Sequence, residues 1–190
     1  MEYNFGLALL LTAAAGLATT IGSLIGLAIK RPGPTFMAFS LGFSGGVMIL
    51  VSFVELLQDS IETIGFLPGH IGFLSGMLVF FLLDNLIPHD YIGQHDHSSS
   101  DSQQKLMHTG LLVALGIGLH NLPEGMATFA GTIEDTQLGI AIAVAVAIHN
   151  IPEGLAVSAP VYAATGSRKK AFFWSFLSGL SEPVGAAIAG

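Results

Sequence analysis

The sequence predicts an all-α fold, a polytopic membrane helix bundle that forms one transmembrane domain over residues 1–190. Hydrophobic residues make up 52% of the chain and charged residues only 10%, whereas soluble domains average about 25% charged residues. The mean hydropathy is +0.70. The apolar residues also gather in runs that reach the roughly 20 residues a helix needs to cross a bilayer.

Polar breaks divide the chain into six apolar runs, and each run is predicted to be a transmembrane helix. The first run has no basic segment before it and is too long for a secretory signal, so it is predicted to be an uncleaved helix. The longest break, at 89–105, holds His and Asp residues followed by serines and is predicted to be a flexible cytoplasmic loop. The predicted helices cover residues 4–29, 35–60, 69–88, 106–130, 136–164 and 169–190.

The basic residues predict the orientation of the bundle in the membrane. All of them fall in the first, third and fifth breaks, which are therefore predicted to be cytoplasmic, with the N-terminus outside. Acidic residues of the outer loops, such as Glu62 and Glu134, either concentrate cations near an entrance or are ordinary solvated side chains. The basic residues are Lys30, Arg31, Lys105, Arg168, Lys169 and Lys170.

Composition also limits the partners and the metal chemistry. The formal net charge of −7 argues against a nucleic-acid partner. The chain has no cysteine, so any metal must be held by nitrogen and oxygen ligands.

One hexapeptide pattern occurs twice, as H-N-L-P-E-G at 120–125 and as H-N-I-P-E-G at 149–154. Within each copy, His and Glu are four residues apart and share a helix face, and the Asn points nearly the same way. From the ends of their helices, His120 lies roughly 22 Å along the fourth and His149 roughly 21 Å along the fifth, from the opposite side. In a hydrocarbon core about 30 Å thick, the two copies are expected to meet near the middle.

These side chains are predicted to bind divalent metal ions. Ionisable groups in mid-membrane require a cavity or a partner, and imidazole, carboxylate and amide ligands suit Zn, Fe(II), Mn or Co. A two-metal arrangement is compatible with this set, and the alternative is a network of interhelical hydrogen bonds. Pro123 and Pro152 are expected to kink the two helices and to free backbone carbonyls. The candidate ligands in the two copies are His120, Asn121, Glu124, His149, Asn150 and Glu153.

Several further polar residues lie within or next to the predicted helices. Glu182 lies roughly 18 Å into the sixth helix, and it is either a metal-site residue or a gating or helix-pairing residue. Glu55 is an entrance ligand or an interfacial side chain, and Asp84 and His89 mark an ion exit or a solvated helix end. The His and Asp residues at 89–97 either collect metal or are incidental.

Glycines recur in the second and third predicted helices, where they would allow close contact between helices. Intramolecular packing and dimerisation explain them equally well. They are Gly42, Gly45, Gly46, Gly72 and Gly76.

The paired H-N-[LI]-P-E-G motifs strongly resemble the ZIP (Zrt/Irt-like) family of divalent metal transporters, and the chain is similar to the bacterial ZupT-like branch of that family. The segments at 38–43 and 149–166 look like the same branch. The resemblance covers essentially the whole chain. It implies uptake of ions toward the cytoplasm by a multi-pass protein of the bacterial inner membrane, commonly a homodimer, with the N-terminus outside.

The resemblance also implies a binuclear metal centre between the fourth and fifth helices, with metal as the substrate and with no catalytic residue. Zinc is the expected ion, and iron, manganese, cobalt and cadmium are further candidates because the ligand set is permissive. By position in the motifs, the first site is implied to consist of His120, Glu124, His149 and Glu153. The second is implied to combine both glutamates with Asn121, Asn150 and Glu182.

One departure from the family concerns the number of helices. Family members have eight, whereas six are predicted here, and the last apolar run ends at Gly190 without a polar flank. The first, fourth, fifth and sixth helices, which hold the metal in the family, are all present. We therefore expect a fragment in which the metal site survives better than transport.

A transporter with alternating access is the leading hypothesis for the function. The alternatives are an intramembrane metalloenzyme and a metal-binding membrane fragment that does not transport. The sequence has no H-E-x-x-H motif to support hydrolysis, and no enzymatic activity is predicted.

Overall fold

The computed structural model describes residues 4–29, 33–86 and 99–190. The predicted loop at 89–105 lies largely outside these residues, together with the His and Asp residues at 89–97, and helix α5 already begins at Ser99. A π-helical turn, Ser52–Leu56, joins α2 to α3. The α-helices are α1 (Phe5–Ile29), α2 (Pro34–Val51), α3 (Leu57–Ile64), α4 (Phe66–Leu86), α5 (Ser99–Glu134), α6 (Thr136–Thr165), α7 (Arg168–Gly179) and α8 (Ser181–Ala189).

The predicted all-α membrane bundle is confirmed. Within the described residues, five helical segments are long and apolar enough to cross a membrane. They correspond to the first five predicted spans, and α2, the π-helical turn and α3 together form the second. The segments are Phe5–Ile29, Thr35–Ile64, Phe66–Leu83, Leu106–Glu134 and Thr136–Thr165.

The sixth predicted helix differs from the prediction because it is divided at Leu180 into α7 and α8. Pro183 has no N–H to donate to the carbonyl of Gly179, four residues earlier, so the α-helical pattern fails there. By contrast, Pro123 and Pro152 lie inside the uninterrupted helices α5 and α6. The break therefore occurs beside Glu182 rather than at the paired motifs.

Helix α6 lies at the centre of the bundle and packs against α1, α2, α5 and α7, while α8 packs against α5 and α1. The contact of α1 with α6 is close enough to exclude a side chain. A Cβ at Gly22 would lie 2.7 Å from the carbonyl carbon of Ile151, and one at Gly154 would lie 2.8 Å from the amide nitrogen of Ser23. Glycine at these positions lets the two backbones touch.

The contact of α5 with α8 has the same form. A Cβ at Gly125 would lie 2.6 Å from the carbonyl carbon of Glu182, and one at Gly185 would lie 2.9 Å from that of Leu122. Each motif glycine, Gly125 or Gly154, thus faces the backbone of a partner helix. The arrangement of α5 with α8 repeats that of α6 with α1.

Five glycines of α2 and α4 do not take part in such contacts among the described residues. A Cβ at any of them would meet nothing within 4 Å. Helix α4 is exposed along most of its length, and dimerisation through these faces stays a prediction. The residues are Gly42, Gly45, Gly46, Gly72 and Gly76.

Candidate metal centre

The two hexapeptide copies meet at the contact between α5 and α6, as their spacing predicts. The Nε2 atoms of His120 and His149 are 3.2 Å apart. Each imidazole also lies beside the carboxylate one turn later on its own helix. The distance from Nε2 to Oε1 is 3.0 Å for His120 and Glu124 and 3.0 Å for His149 and Glu153.

The same side chains approach one another across the two helices. His149 Nε2 is 3.5 Å from Glu124 Oε1, and His120 Nε2 is 3.9 Å from Glu153 Oε1. Ligand atoms at the usual 2.0–2.1 Å from a tetrahedral zinc ion are about 3.3 Å from one another. The donor atoms of His120, Glu124 and His149 all lie within 4.8 Å of one another, so small side-chain rotations suffice to bring them to one ion.

The centre lies mostly inside the bundle. The side chains of Glu124, His149 and Glu153 are 8%, 9% and 10% exposed, whereas that of His120 is 36% exposed. The ring of Phe80 on α4 packs edge-on against His120, with 5.5 Å between the ring centroids. His120 is therefore the most accessible of the four donors.

A second group of polar side chains lies on α6 and α8. Glu182 is completely buried, as is Asn150, whose Nδ2 donates to Oε1 of Glu182 and to the carbonyl of Ala15 at 2.9 Å. Among the described residues, the buried oxygens without a hydrogen-bond partner include Asn150 Oδ1, Glu182 Oε2 and, on the neighbouring α5, Glu124 Oε2. Unpaired buried oxygens are costly, and a divalent cation would satisfy them.

The predicted ligand Asn121 contacts the same centre. The amide oxygen and nitrogen both have suitable hydrogen-bond partners in the orientation in which Nδ2 donates to the carbonyl of Ile117 and to Oε2 of Glu153, each at 3.0 Å. The side-chain nitrogen, rather than the oxygen, then faces the carboxylate. Rotation of this amide is required before Asn121 Oδ1 can bind a cation.

The repeated packing reveals a relation that the sequence analysis missed. Gly154 faces the backbone of Thr19 in the way that Gly125 faces the backbone of Glu182. The segments at 16–22 and 179–185 read G-x-x-T-x-x-G and G-x-x-E-x-x-G, and this match is the signal for the repeat. Thr19 is also completely buried. It occupies the position in the α1–α6 contact that Glu182 occupies in the α5–α8 contact, so only the α5–α8 contact carries an acid there.

Sequence analysis also missed Ser44, on α2. Its Oγ lies 2.6 Å from Nδ1 of His149 and 3.2 Å from the carbonyl oxygen of the same residue. No pattern of candidate ligands surrounds Ser44 in the sequence. Only the packing of α2 against α6 brings it to the centre.

Glu55, predicted to be either an entrance ligand or an interfacial side chain, lies in the π-helical turn, at one end of the bundle. It lines an open cavity of about 460 Å³ between the α2–α3 segment and the start of α6. Glu134 lies nearby and accepts a hydrogen bond from Thr63 Oγ1 at 3.1 Å. Asp84 is on α4, but its side chain and residue His89 lie outside the described part of the chain. The polar residues lining the cavity are Glu55, Gln58, Asp59, Glu62, Asp135 and Gln137.

Comparison with known proteins identifies a family of zinc transporters. The family model described as "ZIP Zinc transporter" matches residues 88–190. The chain is 48% identical to the zinc transporter ZupT of Akkermansia muciniphila, over 95% of this chain and 73% of that protein. It is 46% identical to the ZupT of Streptococcus mutans, over 99% of this chain and 75% of that protein. It is 49% identical to the ZupT of Chlorobaculum parvum, over 95% of this chain and 72% of that protein.

Proposed function

The chain belongs to the ZIP family of zinc transporters, and we propose that it carries Zn²⁺ across the bilayer toward the cytoplasm by way of the α5–α6 centre. This is a family of transporters and not of enzymes. The observation that carries the proposal is the convergence of two imidazoles and two carboxylates from the repeated motifs, with separations of 3.0–3.9 Å. The first ion position consists of His120, Glu124, His149 and Glu153.

A second ion position lies next to the first. Its support is the set of buried, unpaired oxygens on Glu124, Asn150 and Glu182, which form an oxygen-rich group of the kind that divalent cations prefer. Asn121 and Glu153 complete this position once the Asn121 amide turns. The two glutamates then serve both positions, so an ion can pass from one to the other without leaving its carboxylate ligands.

The ligand set also suits ions other than zinc. Neutral imidazole and carboxylate oxygen bind Fe²⁺, Mn²⁺, Co²⁺ and Cd²⁺ as well, and selectivity among them depends on the geometry of the site. We propose zinc as the principal substrate because the relatives are named zinc transporters. No cofactor is required beyond this transported ion.

The chain is a multi-pass membrane protein, and we propose that it lies in the bacterial inner membrane with its N-terminus outside. The positive-inside rule supports this orientation, because Arg168, Lys169 and Lys170 stand at the start of α7. The entrance cavity of Glu55 then opens on the outer side. A homodimer in the lipid bilayer is proposed as the assembly.

The test of the proposed function is zinc flux into proteoliposomes that contain a zinc-sensitive dye. Saturable entry of zinc is expected with the purified chain and not with empty vesicles. Tight zinc binding without flux would show a metal-binding membrane protein that does not transport. Absence of both binding and flux would contradict the proposal as a whole.

The acidic cavity provides a second prediction about transport. The triple variant Glu55→Gln, Asp59→Asn and Glu62→Gln is expected to raise the zinc concentration for half-maximal flux severalfold at low salt. The reason is that local negative charge raises the capture rate of cations. The difference should shrink above 0.5 M salt, where the screening length falls to roughly 4 Å. Flux assays at two ionic strengths measure this effect.

The matched control is Glu134→Gln, which removes an acid near the cavity that does not line it. Its flux is expected to equal that of the unmodified chain at both salt concentrations. If the triple variant behaves like this control at low salt, the cavity is not the entrance.

A further inference from the structure

We infer that Ser44 is a positioning residue of the metal centre, whose hydroxyl fixes His149 in the tautomer that presents Nε2 to the ion. The inference rests on the proposed function, since it concerns the same centre. It adds a residue from α2 to a site that the motifs place on α5 and α6.

The location of Ser44 sets it apart from the rest of its helix. It is only 3% exposed, and most other described side chains of α2 are exposed or half-buried. Val51, two turns later on the same face, is the other buried residue among the described side chains of this helix. Ser44 therefore lies where α2 packs against α6, and a hydroxyl buried in an apolar contact needs hydrogen-bond partners.

The two contacts of Ser44 support one assignment of the protons, which is part of the inference. A serine hydroxyl has one hydrogen to donate and two lone pairs to accept with. The carbonyl oxygen of His149, 3.2 Å away, can only accept, so the serine hydrogen goes there. With its hydrogen used there, the serine oxygen can act only as acceptor in the contact of 2.6 Å with Nδ1, and we assign this contact as a hydrogen bond that His149 Nδ1–H donates.

A proton held on Nδ1 leaves the lone pair of Nε2 free in the neutral imidazole. Nε2 is the atom that faces the centre, 3.0 Å from Glu153 Oε1 and 3.2 Å from His120 Nε2. Metal-binding histidines usually donate their other N–H to a fixed acceptor, which orients the ring and strengthens the ligand. Ser44 supplies that acceptor for His149.

Zinc affinity of the purified protein, measured by competition with a chromophoric chelator, tests the inference without requiring transport. Ser44→Ala is expected to weaken zinc binding by about 10- to 100-fold, the usual loss when the acceptor behind a metal ligand is removed. Ser44→Thr keeps the hydroxyl and is expected to recover most of the affinity. Ser40→Ala, one turn earlier on α2, is the matched control and should bind zinc like the unmodified chain.

The histidine tautomer is a second readout, which a purely structural role would not change. In zinc-loaded protein labelled with ¹⁵N histidine, where Nε2 binds the ion instead of donating to the carboxylates, His149 is expected to carry its proton on Nδ1. Its signal is identified by its loss in His149→Gln. In Ser44→Ala at the same zinc saturation, the Nδ1–H signal should lose the shift that its hydrogen bond causes, while Ser40→Ala should leave the spectrum unchanged.

The two readouts separate this inference from the proposed function. Weakened zinc binding and a shifted Nδ1–H signal of His149 in Ser44→Ala support it even if the chain gives no flux. In the zinc-loaded protein, a His149 that carries its proton on Nε2 in the unmodified chain, or an Nδ1–H signal in Ser44→Ala that equals that of the unmodified chain, overturns it even if zinc is transported. Unchanged zinc affinity in Ser44→Ala overturns it as well.

Discussion

Glu124→Gln and Glu153→Gln are each expected to abolish zinc flux and to lower zinc affinity by more than about 100-fold. The substitutions keep the volume of the side chains and remove the negative charges that face the two imidazoles at 3.0 Å. Loss of a direct ligand should exceed the 10- to 100-fold effect of losing a residue behind a ligand. Flux into zinc-dye proteoliposomes and chelator competition measure the two quantities.

The matched control is Glu134→Gln, since Glu134 ends the same helix as Glu124 and is exposed. It should leave flux and affinity unchanged. The double variant of Glu124 and Glu153 should be no worse in flux than either single variant, because residues that act as a unit are not additive. Flux at the level of the unmodified chain in either single variant would mean that ions do not pass between the paired motifs.

The sequence predicts the meeting of the motifs well, and the reason is geometric. The four-residue spacing of His and Glu fixes one helix face, and the distance of each motif from its helix end fixes its depth. His120 and His149 therefore had to meet once α5 and α6 packed side by side. The burial of Glu182 followed from its depth in an apolar run.

Other features depend on contacts that no local pattern encodes. Ser44 lies 105 residues from its partner His149 in sequence, and a lone serine in an apolar helix commonly bonds to its own backbone.

The division of the sixth helix at Leu180 was missed because the apolar run continues through it. Pro183 was the available signal, but Pro123 and Pro152 carry the same signal and lie inside continuous helices.

The glycine of each motif has a role that differs from those of the histidine and the glutamate. Gly154→Ala would place a Cβ 2.8 Å from the amide nitrogen of Ser23, and Gly125→Ala would place one 2.6 Å from the carbonyl carbon of Glu182. Backbone atoms cannot rotate away, so α1 and α6, or α5 and α8, must separate. Overpacking of this kind destabilises by about 1–3 kcal/mol, which corresponds to a fall in Tm of roughly 2–4 °C per kcal/mol for a chain of this size.

Thermal unfolding followed by circular dichroism in detergent measures this loss of stability. Gly46→Ala on α2 is the matched control, because its Cβ would meet nothing within 4 Å. Alanine favours a helix over glycine by about 1 kcal/mol, so the control is expected to keep or raise the Tm. Unfolding of Gly154→Ala at the Tm of the unmodified chain would contradict the close contact of α1 with α6.

Comparison of metal-free proteins then separates packing from metal binding within one motif. Gly154→Ala should lower both the Tm and the zinc affinity, because separation of α1 and α6 moves His149 and Glu153 out of position. Glu153→Gln should lower the zinc affinity without lowering the Tm, since a carboxylate buried without its cation is itself unfavourable. A fall in Tm for Glu153→Gln as large as that for Gly154→Ala would instead indicate that the carboxylate holds the helices together, which is the interhelical hydrogen-bond alternative.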